Sequence, residues 1–228
     1  MPRYRIRYSK EGTARFVSHL DMIRTFERAV RRAGLPVSLT EGFNPHPRFS
    51  FGFPLPVGMA GLEEYVDIDL EEAVPDENIV ASLDKVMPPG LRITGARPVE
   101  GGGKSLMAES ERSSCLAVIE EESLTGDFEK LQKCIEEIMH LKELIVSRRK
   151  KEGGSVPFDI RPGILMLSAR NDGSGVIVLE MEIMTGSSLN VRPQEVIEAI
   201  AGCGALKKDC HIDITRTGIT GRGGKELF

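Results

Sequence analysis

Residues 4–34 read YRIRYSKEGTARFVSHLDMIRTFERAVRRAG, and this stretch decides the fold class. Tyr4–Tyr8 alternates ring, Arg, Ile, Arg, ring, the period-two pattern of a strand with one face turned to a core. Glu11-Gly12 marks a turn. Ser18-His19-Leu20-Asp21 then has the form of a capping box that opens a helix. Leu20, Ile23, Phe26, Ala29, Val30 and Ala33 recur at helical spacing and predict its buried stripe. Gly34 ends the helix, and Pro36 blocks its continuation.

Outward from this β-α start the pattern continues. Val37–Leu39 and Phe49–Phe53 read as strand segments, and Tyr65–Leu70 alternates as another. Asp76–Val86 predicts a short helix with Ile79, Leu83 and Val86 inward, and Leu91–Ala96 a further strand. The order is β-α-β-β-α-β, the split unit called ferredoxin-like. Gly101-Gly102-Gly103-Lys104-Ser105 punctuates the chain as a linker. The order then recurs: strand Cys115–Glu120, helix Asp127–Leu144, strands Leu144–Arg148, Ile164–Ala169 and Val176–Met184, helix Pro193–Ala201, strand His211–Thr215. A basic connector, RRKKEGGSVPFDIRP, joins two of these strands. The expectation is an α+β protein of two tandem ferredoxin-like units with antiparallel sheets. The first covers residues 1–100, the linker 101–113 and the second 114–217, with the tail GITGRGGKELF frayed.

Composition narrows the function classes. The chain has 228 residues, 40% apolar content and a net charge of −4. No run approaches the ~20 apolar residues that span a bilayer, and MPRYRIRYSK lacks the apolar stretch of a signal peptide. A cytoplasmic location and no membrane partner are expected. Four dispersed cysteines without CxxC argue against a zinc site or a disulfide framework. The charge is unevenly spread. Residues 1–60 hold ten Lys/Arg against four Asp/Glu, and residues 61–100 hold three against ten. A basic third on an acidic protein can still bind a polyanion.

Polar chemistry concentrates between Arg15 and Pro56. Asn44-Pro45-His46-Pro47-Arg48 has no use in a packed core, and prolines stiffen it. Asn44, His46 and Arg48 are therefore expected on an exposed turn, with Phe43 as an exposed ring. His19 is not needed for helix capping and is a candidate for binding or proton transfer, whereas Asp21 is explained by the cap. Arg24, Arg28, Arg31 and Arg32 fall off the apolar stripe, on a face that either is merely solvated or binds phosphates together with Lys10 and Arg15. Phe49, Phe51 and Phe53 share one strand face, which packing explains first. Arg148 and Lys150 lie in the basic connector, which is either a solvated hairpin or a second nucleic-acid contact. A metal site of two histidines and Asp21 or Asp67 has nothing to support it, and no cofactor or metal is expected. The spacings GxxxxGK[ST], GxSxG, HExxH and GxGxxG are absent.

The blocks SHLDMIRTFERAVRRAGLPV, GFNPHPRFSFGFPLPVG, EEYVDIDL and KKEGGSVPFDIRPGI together resemble a family of radical-SAM-linked proteins of uncharacterised function. Its members are encoded beside, or fused to, a radical S-adenosylmethionine protein. The resemblance implies a radical SAM protein as partner and brings no known reaction. The chain has no CxxxCxxC for the cluster of such an enzyme. Tandem split units are also similar, at fold level, to pseudouridine synthases and CRISPR repeat-processing nucleases. Three functions follow as expectations. One is an RNA-binding accessory that presents RNA to the radical enzyme. Another is an RNA-processing or RNA-modifying enzyme using His19 and His46 as acid and base with Arg48 as phosphate stabiliser. The third is a protein-only partner docking through the acidic block Glu63–Glu77.

Overall fold

The computed structural model describes residues 1–99, 105–150, 152–171, 173–186, 189–207 and 210–228. The protein is α+β, and its chain forms two compact units, residues 1–111 with 216–228, and residues 112–215. Every strand pairing with a described register is antiparallel.

The first unit contains β1 (Arg3–Lys10), α1 (His19–Arg32), β2 (Phe49–Phe51), β3 (Ala60–Asp69), α2 (Asp76–Asp84), β4 (Leu91–Val99) and the short α3 (Leu106–Glu109). The strand order is β4–β1–β3, with β2 also on β3. Alternation sorts β1 onto two faces. Tyr4, Ile6 and Tyr8 enter a core with Met22, Phe26, Ala29 and Val30 of α1, Ile79 and Leu83 of α2, and Val66 and Ile68 of β3. Arg3, Arg5 and Arg7 take the other face and stand opposite Asp69, Asp67 and Tyr65 in register.

The helix α1 starts at the expected cap: the Ser18 hydroxyl accepts from the Asp21 N–H at 3.2 Å. Its buried stripe is Met22, Phe26, Ala29 and Val30. Leu20, expected inside, is 66% exposed. At 100° per residue it stands about 200° from Met22, on the side away from the sheet. The segment expected as strand Val37–Leu39 forms only isolated bridges, Val37 to Leu70 and Leu39 to Pro47.

The linker expectation also changes. Residues 101–104 lie outside the described residues. Of the remainder, Leu106–Glu109 is α3 and Ser110 already opens β5 (Ser110–Glu120). The expected frayed tail is packed instead, and it closes the first unit. Leu227 is buried and Phe228 stacks on Tyr65 at 6.2 Å between centroids. Leu106, Ile219 and Leu227 join Tyr65 in a small second core.

The second unit continues from β5 with α4 (Phe128–His140), β6 (Ile145–Arg149), β7 (Ser155–Asp159), β8 (Ile164–Asn171), β9 (Val176–Met184) and α5 (Pro193–Gly202). The final strand, β10 (Asp213–Gly221), starts here and ends in the first unit. Asp127 caps α4 by accepting from the Lys130 N–H at 2.9 Å. Leu131, Cys134, Ile135 and Ile138 of α4 are buried, as are Val196 and Ile200 of α5 and alternate residues of β9. The basic connector is a hairpin: β6 and β7 pair from Ile145–Asp159 to Arg149–Ser155. Gly153 and Gly154 supply the positive φ angles its turn needs.

Candidate nucleic-acid interface

Off the apolar stripe, α1 exposes Arg24, Arg28 and Arg31. Arg24 pairs with Asp21 at 3.2 Å, a solvated i, i+3 contact. The Arg28 Nε–H donates to the Arg24 carbonyl at 3.2 Å. Arg31 has no carboxylate partner among the described residues. Asp21 is held below the usual carboxylate range by the Ser18 hydroxyl and then by Arg24, in keeping with its place in the cap. Arg32 turns aside and donates to the Val86 carbonyl at 2.8 Å.

The 39–48 segment is a stiff excursion, as its prolines predicted. The Thr40 N–H donates to the His46 carbonyl at 2.8 Å, and the His46 N–H to the Thr40 hydroxyl at 3.0 Å. Gly42 has φ 120°, which favours glycine. Beyond it Phe43 is fully exposed, and Asn44 and His46 are exposed as well. His46 Nδ1 lies 3.4 Å from the Glu27 carboxylate on α1. Glu27 is neighboured on its helix by Arg24, Arg28 and Arg31, at i−3, i+1 and i+4. The loop that carries the exposed Phe43 thus meets α1 at Glu27, between Arg24 and Arg31 on the helix.

Arg48 points elsewhere. Its Nε–H donates to the Leu39 carbonyl at 3.1 Å. It lines a cavity of about 350 Å³ with Arg3, Thr40, Pro47, Phe49, Ser50, Asp67 and Asp69. His19 occupies a third place. Its ring meets Phe51 edge-on at 5.4 Å. It borders a very small cavity with Tyr8, Lys10, Phe51, Glu64 and Tyr65. Burial, followed by the charge of Lys10, pushes its pKa down. His46 contacts α1 eight residues further on, about 12 Å along the axis. None of the cavities described for the first unit is lined by both histidines.

Lys10 is not at a surface. It is 2% exposed and donates to the Val17 carbonyl at 2.7 Å, and burial lowers its pKa. Arg15 is half-buried, its guanidinium 5.0 Å from the Phe16 ring centroid. Arg148 is committed to the fold. It donates twice to Glu195 at 2.7 Å and once to the Asn190 carbonyl at 2.6 Å, and lies 3.6 Å over Phe158. Lys150 is exposed at the hairpin turn. Phe49 and Phe51 pack against the core, as expected of them. Among the described residues no group of three or more His, Cys, Asp or Glu could hold a metal.

Sequence reasoning passed over the arginine side of β1. Arg5 is 5% exposed and donates twice to Asp67, at 2.7 and 2.9 Å, to Glu109 at 3.0 Å and to the Leu227 carbonyl at 2.8 Å. Arg97 of β4 stands beside it in register. Under α1, Glu64 and Arg216 form a second buried pair, with the Arg216 Nε–H donating at 2.8 Å. The signal was in the alternation itself: Arg3-x-Arg5-x-Arg7 and Asp67-x-Asp69 on neighbouring strands predict facing charges.

An antiparallel α+β scaffold carrying a basic helix face is the class of protein that these features define. The chain matches, over residues 3–193, the family described as an uncharacterised protein conserved in bacteria, DUF2344; it belongs to that family. No curated protein matches. Among solved structures, a chain of a Cbf5–Nop10–Gar1 complex is similar with TM-score 0.54 at 10% identity, covering 95% of this chain and 48% of that one. A chain of the archaeal box H/ACA sRNP Nop10–Cbf5 complex has TM-score 0.49 at 9% identity, with the same coverages of 95% and 48%. The protein spans about half the length of these neighbours. At such identity the first likeness shows fold alone. Among the described residues no helix is long and apolar enough to cross a membrane.

Proposed function

We propose that this protein is a non-catalytic RNA-binding accessory that presents an RNA to a radical SAM enzyme. The observation that carries the RNA part is the seating of His46 against Glu27. It seats the loop that carries the exposed Phe43 on the helix that carries Arg24, Arg28 and Arg31. A guanidinium row with an adjacent free ring offers phosphate contacts and a stacking platform for an unpaired base. The radical SAM part rests on the family resemblance. The strand order β4–β1–β3–β2 supports reading the first unit as ferredoxin-like, and β5–β9–β8 supports the same for the second.

The separation of His19 from His46 weighs against a paired acid–base reaction. The exposed acidic residues Glu71, Glu72 and Glu77 remain suited to docking a protein. Ultraviolet crosslinking of the protein to a structured RNA, followed by peptide mass spectrometry, tests the reading. Crosslinks at Phe43 and along α1 are expected. Crosslinks confined to other surfaces, or none, would overturn it. Affinity capture with a radical SAM protein as bait tests the partnership, and failure to retain this protein would overturn that part of the reading.

A further inference from the structure

On the side of the first unit's sheet that carries Arg3 and Arg5, away from α1 and α2, lies a cavity of about 490 Å³. This is within the range of small-molecule sites. Its lining holds five cations, Arg3, Arg5, Arg97, Arg222 and Lys225, against three carboxylates, Asp67, Glu109 and Glu226. The charges are not evenly cancelled. Asp67 and Glu109 are both engaged by Arg5. Arg3 is matched by Asp69 at 2.6 Å. Arg97, Arg222 and Lys225 have no carboxylate partner among the described residues, and only Glu226 opposes them.

We propose that this cavity binds a free phosphorylated small molecule of mononucleotide size. The geometry already shows what an anionic oxygen would meet. Arg5 and Arg97 converge on one oxygen atom, the Leu227 carbonyl, at 2.8 Å each. The Arg97 Nε–H is buried without a partner, so this guanidinium is under-used by the fold. Pro98, Val99, Ala108 and Leu227 give the cavity an apolar wall that suits a base or other flat body. Arg222 and Lys225 are exposed at the rim, where they would reach a phosphate by charge-assisted hydrogen bonds. Gly223 and Gly224, with φ 68° and 78°, turn the chain between these two rim cations. The site shares no residue with the arginine face of α1 and stands independently of the RNA reading.

Calorimetric titration of the whole protein with AMP, inorganic phosphate and adenosine tests the proposal. AMP should bind, inorganic phosphate more weakly, and adenosine not measurably. Arg222→Glu with Lys225→Glu changes only exposed side chains, and it should weaken AMP binding at least about tenfold. Arg24→Glu, Arg28→Glu and Arg31→Glu together should leave AMP binding unchanged, which separates this site from the RNA surface. Absence of AMP binding, binding indifferent to the rim substitutions, or binding of a 5′-phosphorylated oligonucleotide without AMP would overturn it.

Discussion

At the residue scale, the least expected feature is how much charge the first unit buries. Glu64 and Arg216 are 3% exposed each, and Arg5 with Asp67 are nearly as enclosed. Burying such ions costs several kcal/mol each, offset only when geometry is good and remaining donors are satisfied. Both pairs are bidentate. Removing one carboxylate leaves a buried guanidinium without its counter-charge, so Glu64→Gln should lower stability by about 3–5 kcal/mol in denaturant titration. A change below about 1 kcal/mol would mean that water reaches Arg216. His19 gives a pH prediction. Its folded pKa lies below the ordinary 6.5 because the site is partly buried and faces Lys10. As pH falls below 6.5 the unfolded chain protonates first, and stability drops until the folded midpoint is passed. NMR titration should place the His19 midpoint below 6.5, and His19→Asn should flatten that part of the stability profile. A midpoint at or above 6.5 would contradict the placement.

At the element scale, β6–β7 separates a structural arginine from a binding one. Arg148 holds this hairpin to Glu195 at the start of α5 and covers Phe158. Arg148→Ala should cost about 1.5–3 kcal/mol, the range of hydrogen bonds to charged groups, and raise amide exchange across β6–β7. RNA affinity should be nearly unaffected. Sequence reading could not see this. RRKK in a connector has the same composition whether its first arginine is solvated or clamped, and Glu195 lies 47 residues away. By contrast α1 was readable almost in full, because its cap, stripe and Gly34 stop are local signals. Leu20 misled, since an apolar residue in the first turn fits the count of a stripe without lying on it, and Met22, which is buried, was left out of the expected stripe. The hairpin turn 40–46 was legible through its prolines. The seating of His46 on Glu27 was not, because it depends on the path of a loop.

At the scale of the whole molecule, the order of elements was legible and the closure was not. Alternation and helical spacing gave most strands and the four longer helices in order, with β9 at its observed bounds, but missed α3 and β7 and read Val37–Leu39 as a strand. Nothing local showed that residues 216–228 would return to the first unit. Small, glycine-rich tails read as frayed. This one is held by long-range partners: Glu64 for Arg216, Tyr65 for Phe228, and Arg5 and Arg97 for the Leu227 carbonyl. Truncation before Arg216 should therefore destabilise the first unit outright, with loss of cooperative thermal unfolding followed by circular dichroism. A truncated chain that melts like the full one would show that the tail is dispensable.

The central claim is that a basic face of α1 binds RNA, and salt-dependent affinity tests it most directly. Fluorescence anisotropy against a structured RNA, repeated from ~50 to ~200 mM salt, should give a log–log slope of about −2 to −3 for three phosphate contacts. Arg24→Glu, Arg28→Glu and Arg31→Glu together should abolish binding while leaving the circular dichroism spectrum intact. Affinity independent of salt, or retained by the triple variant, would contradict the account.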